Sequence, residues 1–97
     1  ALAGYVRSLG REMAASGVIV TGILPGGFLA PENSWARFEA RDPNGVQRFI
    51  DERLPRKRLG AAEELIPLLK FLCSEQASMM GGCLVPIDAG EGKAYLL

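Results

Sequence analysis

Ser16-Gly-Val-Ile-Val-Thr-Gly-Ile-Leu-Pro-Gly-Gly-Phe-Leu-Ala-Pro31 is the stretch on which the fold turns. A helical pattern stops at Gly17, a nearly unbroken apolar run follows from Val18 to Leu24, and Pro25-Gly26-Gly27 breaks it. A run apolar on both faces of the pleat, with β-branched Val18, Ile19, Val20 and Thr21, predicts a strand buried on both sides. The Pro-Gly-Gly exit lies just beyond that strand's carboxyl end, where open α/β sheets bind ligands. A turn of small residues there lets a flat ligand approach the backbone closely. A plain strand-to-loop exit is the competing reading.

Working outward toward the N-terminus, Leu2, Val6, Leu9 and Met13 make one apolar stripe, which predicts a helix over residues 1–16. Ala1, Gly4 and Ser8 form a second ridge of small residues, suited to close approach by another helix. Gly17 fits the left-handed position after a helix end. No capping residue precedes the stripe and there is no initiator Met, so the helix is expected to begin before residue 1.

On the other side, Pro31 to Leu54 predicts two short helices. Asn33 or Ser34 caps the first, which puts Trp35 and Phe38 on one face. Asp42-Pro43-Asn44-Gly45 signals a turn. Val46, Phe49 and Ile50 form the second narrow stripe. Residues 37–58 carry seven basic and four acidic side chains, a local excess of +3. A solvated helical face explains this, and attraction of an anionic substrate or cofactor is the alternative.

Gly60 to Ser74 predicts a mostly buried helix with Leu65, Leu68, Leu69 and Leu72 on its main stripe and Glu63 and Glu64 in its first turn. Pro67 conflicts with a helix interior, so either the helix starts later or it kinks there. Residues 83–88 predict a second strand, and Pro86 places it at a sheet edge or beside a bulge. Residues 91–97 read as a tail ending in apolar Tyr95, Leu96 and Leu97. Two strands are too few for an independent sheet. The expected fold is therefore α/β, the C-terminal part of a doubly wound parallel sheet (the Rossmann type, by the family resemblance set out below), with all of 1–97 an incomplete piece of one domain.

The balance of eleven basic and eleven acidic residues gives no pull toward nucleic acid or a membrane surface. No apolar run of about 18 residues and no leader pattern is present, so a membrane span and export are not expected. Histidine is absent, and Cys73 and Cys83 form no CxxC pair. Structural zinc and a His-based triad are thereby excluded within the chain. The cysteines are expected as buried, reduced thiols of a cytoplasmic protein.

Four segments, in order, resemble the C-terminal portion of a short-chain dehydrogenase/reductase. They are Ala-Leu-Ala-Gly-Tyr-Val-Arg-Ser-Leu-Gly-Arg-Glu-Met (1–13), Gly-Val-Ile-Val-Thr-Gly-Ile-Leu-Pro-Gly (17–26), Pro-Arg-Lys-Arg-Leu-Gly-Ala-Ala-Glu-Glu-Leu (55–65) and Phe-Leu-Cys-Ser-Glu-Gln-Ala-Ser-Met-Met-Gly-Gly-Cys-Leu-Val-Pro-Ile-Asp-Ala-Gly (71–90). The resemblance implies NAD or NADP as cofactor and hydride transfer between a carbonyl and a hydroxyl. It places Pro25, Gly26, Gly27, Phe28 and Ala30 against the cofactor's nicotinamide end. Ala30 stands where the family often has Thr, Thr21 where it usually has Asn, and Asp88-Ala89-Gly90 where Asp-Gly-Gly is more frequent. Leu29, Trp35 and Phe38 are the candidate substrate contacts, with residues 32–54 as a substrate lid; for Trp35 and Phe38 a packing role is equally open.

No catalytic residue is assigned. Tyr5 is followed four residues later by Leu9 rather than Lys, and the chain ends two residues after Tyr95, so no Tyr-x-x-x-Lys is present. The resemblance puts that motif in a missing N-terminal part of the same protein. Expected partners are a small carbonyl or alcohol substrate and further copies of the chain in a homo-oligomer. The rival reading is a non-catalytic assembly module derived from the same fold.

Overall fold

A computed structural model describes residues 1–92. Its elements run α1 (Leu2–Ala14), β1 (Gly22–Pro25), β2 (Phe28–Leu29), α2 (Ser34–Arg41), α3 (Pro43–Arg53), β3 (Gly60–Ala61), a 3-10 turn (Ala62–Glu64), α4 (Ile66–Leu72), a second 3-10 turn (Glu75–Ala77) and β4 (Leu84–Ile87). The chain divides into two compact units, Ala1–Leu24 with Leu65–Ile87, and Pro25–Glu64 with the segment from Asp88 onward.

In the first unit, β1 pairs with β4 and α1 packs on β4. The closest approach is made by Gly10, the buried residue of α1. A Cβ built there would lie 2.3 Å from the Gly82 nitrogen, so only glycine fits. Gly82 is itself left-handed, with φ +75°, and its N–H donates to the Val20 carbonyl at 2.8 Å. The Thr21 hydroxyl donates to the Met80 carbonyl at 2.7 Å. These bonds tie the 80–82 turn to the chain entering β1. Gly17 closes α1 at φ +78°, as its position after the stripe predicts.

The strand expected over 18–24 is shorter and less buried. Its regular part begins at Gly22, and Val18 and Ile19 are 44% and 40% exposed. Burial on both faces requires layers above and below, and among the described residues none covers these two. The helix expected over 60–74 is also corrected. Residues 60–61 form β3, and the regular helix starts at Ile66 with Pro67 in its first turn. There the proline lacks only an N–H that would have no helical partner, which removes the conflict. The helix is not mostly buried, because Ile66, Leu69 and Phe71 remain 39–46% exposed. Among the described residues four strands occur rather than two. Pro86 does lie in a strand with one partner, facing outward. Cys73 is exposed and Cys83 half-buried, both unpaired, so the expectation of two buried thiols fails for Cys73.

In the second unit, β2 and β3 run parallel, Phe28 opposite Gly60 and Leu29 opposite Ala61. Asn33 caps α2 by accepting from the Ala36 N–H at 2.9 Å and donates its side-chain amide to the Phe28 carbonyl at 2.8 Å. The Asp42–Gly45 signal turns out to be a helix start. Asp42 ends α2, and its carboxylate accepts from the Gly45 N–H at 3.0 Å to cap α3, with Pro43 in the first turn. Val46 and Leu54 are the buried core residues here. Of the apolar tail, Tyr95, Leu96 and Leu97 lie outside the described residues.

Candidate functional site

The turn after β1 is held by its own unit from two directions. A Cβ at Gly26 would lie 2.7 Å from the Asp88 Cβ and 2.8 Å from Glu91 Oε1. A Cβ at Gly27 would meet Leu59 at 2.9 Å and the Trp35 ring at 3.5 Å. Gly26 is therefore required by packing against the Asp88 Cβ and backbone, whereas a Cβ at Gly27 would press only on the tip of the Leu59 side chain. The Gly27 N–H donates to Glu91 Oε1 at 2.9 Å, and its carbonyl accepts from the Gly60 N–H at 2.8 Å. Phe28 then enters β2, its ring filling the space where a Cβ at Gly60 would be.

The segment 88–92 is shaped for this contact. The Asp88 carboxylate accepts from the N–H groups of Gly90 and Gly92 at 3.0 and 3.1 Å. Ala89 takes φ +53°, a left-handed conformation that costs a non-glycine residue roughly 1–2 kcal/mol. The frequent family Gly at that position would bear no such cost. The resulting tight turn brings Glu91 to Gly27.

Trp35 packs on Phe49 with ring centroids 4.7 Å apart and on Phe38 at 5.9 Å. The Arg41 guanidinium lies 5.5 Å from the Phe38 ring centre. Trp35 thus joins α2, α3 and the Gly27 turn. Leu29 is elsewhere in the unit, in the wall of a cavity of about 310 Å³ together with Ile50, Leu59, Gln47, Glu39 and Lys57. Trp35 and Phe38 do not line it. The candidate cofactor residues form one turn, and of the three candidate substrate residues Leu29 lines this cavity.

Glu64 organises the stretch before α4. It receives two hydrogen bonds from the Arg58 guanidinium, at 2.8 and 3.0 Å, and one from the Ala61 N–H at 2.8 Å. Arg56 stands 3.5 Å away. The Arg58 fork, then the Ala61 N–H, hold its carboxyl down at about 2, and Arg56 adds to the effect. The carboxylate in turn raises the Arg58 guanidinium. Its expected place in a helical first turn is replaced by this fork. Among the described residues no group of His, Cys, Asp and Glu is placed to hold a metal ion, and no helix is long and apolar enough to cross a membrane.

For a nicotinamide ring the turn offers the backbone of Pro25–Phe28 and the apolar Phe28 side chain. It offers no hydroxyl at Ala30, and the Gly27 N–H already has a partner. The residues fit the group as an apolar wall. Glu91 was not legible in the sequence: it is 64 positions from Gly27, and a single acid in a glycine-rich tail carries no pattern.

Residues 1–91 match the family described as Enoyl-(Acyl carrier protein) reductase. The chain is 35% identical over 94 residues to the 3-oxoacyl-[acyl-carrier-protein] reductase MabA of Mycobacterium avium, covering 97% of this chain and 34% of the relative. It is 32% identical over 94 residues to the levodione reductase of Leifsonia aquatica, covering 95% and 35%. The crystal structure of L-sorbose reductase from Gluconobacter frateurii, complexed with NADPH and L-sorbose, superimposes with a TM-score of 0.81 at 32% identity. That match covers 96% of this chain and 38% of the other. The chain thus spans about a third of the length of the relatives it matches.

Proposed function

The chain belongs to the short-chain dehydrogenase/reductase family, and we propose that it is the C-terminal third of an NAD(P)-dependent oxidoreductase interconverting a carbonyl and a hydroxyl. Its elements are the C-terminal part of a Rossmann-type α/β sheet. The observation that carries the reading is the unbroken match over residues 1–91, supported by the likeness to a reductase described with NADPH and a sugar substrate.

In this reading Pro25, Gly26, Gly27, Phe28 and Ala30 form the wall at the nicotinamide end of NAD or NADP. When bound, that cofactor supplies the hydride or accepts it. The chain's own part is to present a fixed backbone surface and exclude water from one side of the ring. Trp35 couples this wall to residues 32–54, which serve as the substrate lid, with Leu29 and Phe38 as further apolar contacts. The proton is handled by a Tyr-x-x-x-Lys motif in the preceding part of the protein. The exposed Ala1, Gly4 and Ser8 ridge supports assembly into a homo-oligomer through α1. Two unpaired cysteines support a reducing, cytoplasmic setting.

The test is turnover by the full-length protein, followed by nicotinamide absorbance with NADH and NADPH against a panel of 3-oxoacyl thioesters, cyclic diketones and ketoses. Reduction of at least one, abolished by Tyr→Phe in the upstream motif, is expected. A full-length protein that binds dinucleotide but turns over nothing, or lacks the motif, overturns the reading in favour of an assembly module.

A further inference from the structure

We propose that Glu91 is a positioning residue for the cofactor-facing turn, which rests on the oxidoreductase reading above. Its carboxylate holds the Gly27 N–H at 2.9 Å, fixing the course of Pro25–Ala30 and withdrawing that amide from the cofactor. Two further observations converge on it. Glu91 is half-buried against the turn, and the position a Gly26 Cβ would take is 2.8 Å from the same carboxylate oxygen. No side chain at residue 26 therefore fits beside it.

Asp88 ties its carboxylate to the Gly90 and Gly92 N–H groups, which bends the backbone so that Glu91 points back at Gly27. Ala89 holds a left-handed conformation between them, a local cost that the surrounding bonds sustain. On the far side, Gly27 is tied to β3 through the Gly60 N–H. The turn is thus held on both sides of one residue, Gly27, and the acid supplies the side that secondary structure does not. A charged acceptor on a backbone N–H makes one of the stronger hydrogen bonds.

The consequence for specificity follows from the same geometry. With Gly27 occupied and Ala30 lacking a hydroxyl, the nicotinamide end is recognised by shape at this wall. Losing Glu91 loosens the wall and leaves the adenosine end of the cofactor untouched.

The experiment uses the full-length protein with Glu91→Ala and Glu91→Gln. Backbone hydrogen exchange over 25–30 is measured without ligand, and dissociation constants are measured for NADPH, NADH and ADP-ribose, the last lacking the nicotinamide. Glu91→Ala should speed exchange at Gly27 and weaken the preferred dinucleotide, each about tenfold. ADP-ribose binding should stay unchanged. Gln retains an acceptor oxygen and should restore both dinucleotide binding and protection to within about threefold of wild type. Unchanged Gly27 exchange in Glu91→Ala, equal weakening of ADP-ribose, or failure of Gln to restore would each overturn the assignment. A wild-type protein that binds neither dinucleotide overturns the oxidoreductase reading instead, while the exchange measurement still decides whether Glu91 holds the turn.

Discussion

Gly10→Ala should be among the most damaging single-methyl additions to this chain. The new Cβ would lie 2.3 Å from the Gly82 nitrogen, 2.4 Å from its Cα and 3.0 Å from the Val20 carbonyl oxygen. All three are backbone atoms, so no side chain can swing aside. The helix must lift away from the 80–82 turn by about an ångström to reach ordinary contact. Overpacking of this kind costs about 1–3 kcal/mol. The lift also strains the Gly82–Val20 hydrogen bond, worth about 1 kcal/mol net. Against this, Ala is about 1 kcal/mol better than Gly inside a helix. The balance is a loss of about 2 kcal/mol, a factor of roughly 30 in the folding equilibrium. Gly81→Ala is the matched control, since its Cβ would sit at an ordinary 3.6 Å from the Gly10 carbonyl oxygen; its effect should stay within about 0.5 kcal/mol. Urea unfolding of the full-length protein reads both as midpoint shifts at constant slope. Equal midpoints for Gly10→Ala and Gly81→Ala would refute the packing argument.

Other expectations are as direct. Ala89→Gly should raise stability by about 1 kcal/mol in thermal unfolding, because it relieves the left-handed alanine; no gain would mean the turn tolerates it freely. Glu64 is held at about 2 from a usual 4.5, so its contribution is fully present above about 4.5 and is lost as pH falls toward 2. The stability difference between wild type and Glu64→Gln should therefore shrink over that window, and a difference that stays flat there would count against the Arg58 fork. If the proposed lid holds, Trp35→Ala in the full-length protein should raise the substrate KM by about tenfold while moving the cofactor's by less than about threefold. Trp35→Phe, which preserves an aromatic contact with Phe49, separates lid function from simple loss of folding; equal changes in both constants would remove the lid.

The elements most legible in the sequence are those whose signals are local. The stripe of α1, Gly17 at its end, the Asn33 cap and the stripe of α3 all lie within a few residues of what they control. Pro67 was informative because its conflict left two local resolutions, a later helix start or a kink, and the structure takes the first. The two-residue pair β2–β3 was illegible, because Phe28–Leu29 and Gly60–Ala61 are too short to alternate and find each other across 32 positions. Glu64 was misread for a related reason. An acid ahead of a leucine-rich run satisfies the helix-dipole rule, while its true partners, Arg58 and the Ala61 N–H, depend on a tight bend that no periodicity announces. Of the site, the turn itself could be read from Pro25-Gly26-Gly27, but what those glycines make room for is Asp88, Glu91, Leu59 and Trp35.

Asp42 is the single residue between α2 and α3, C-cap of the first and N-cap of the second. A joint of one residue has little slack, so the two helices cannot drift apart as longer loops allow. One inserted residue would reset the direction in which α3 leaves that joint and break the 4.7 Å contact of Phe49 with Trp35. Substitution can therefore reshape this segment's surface freely, whereas changes of length are closed to it at that corner.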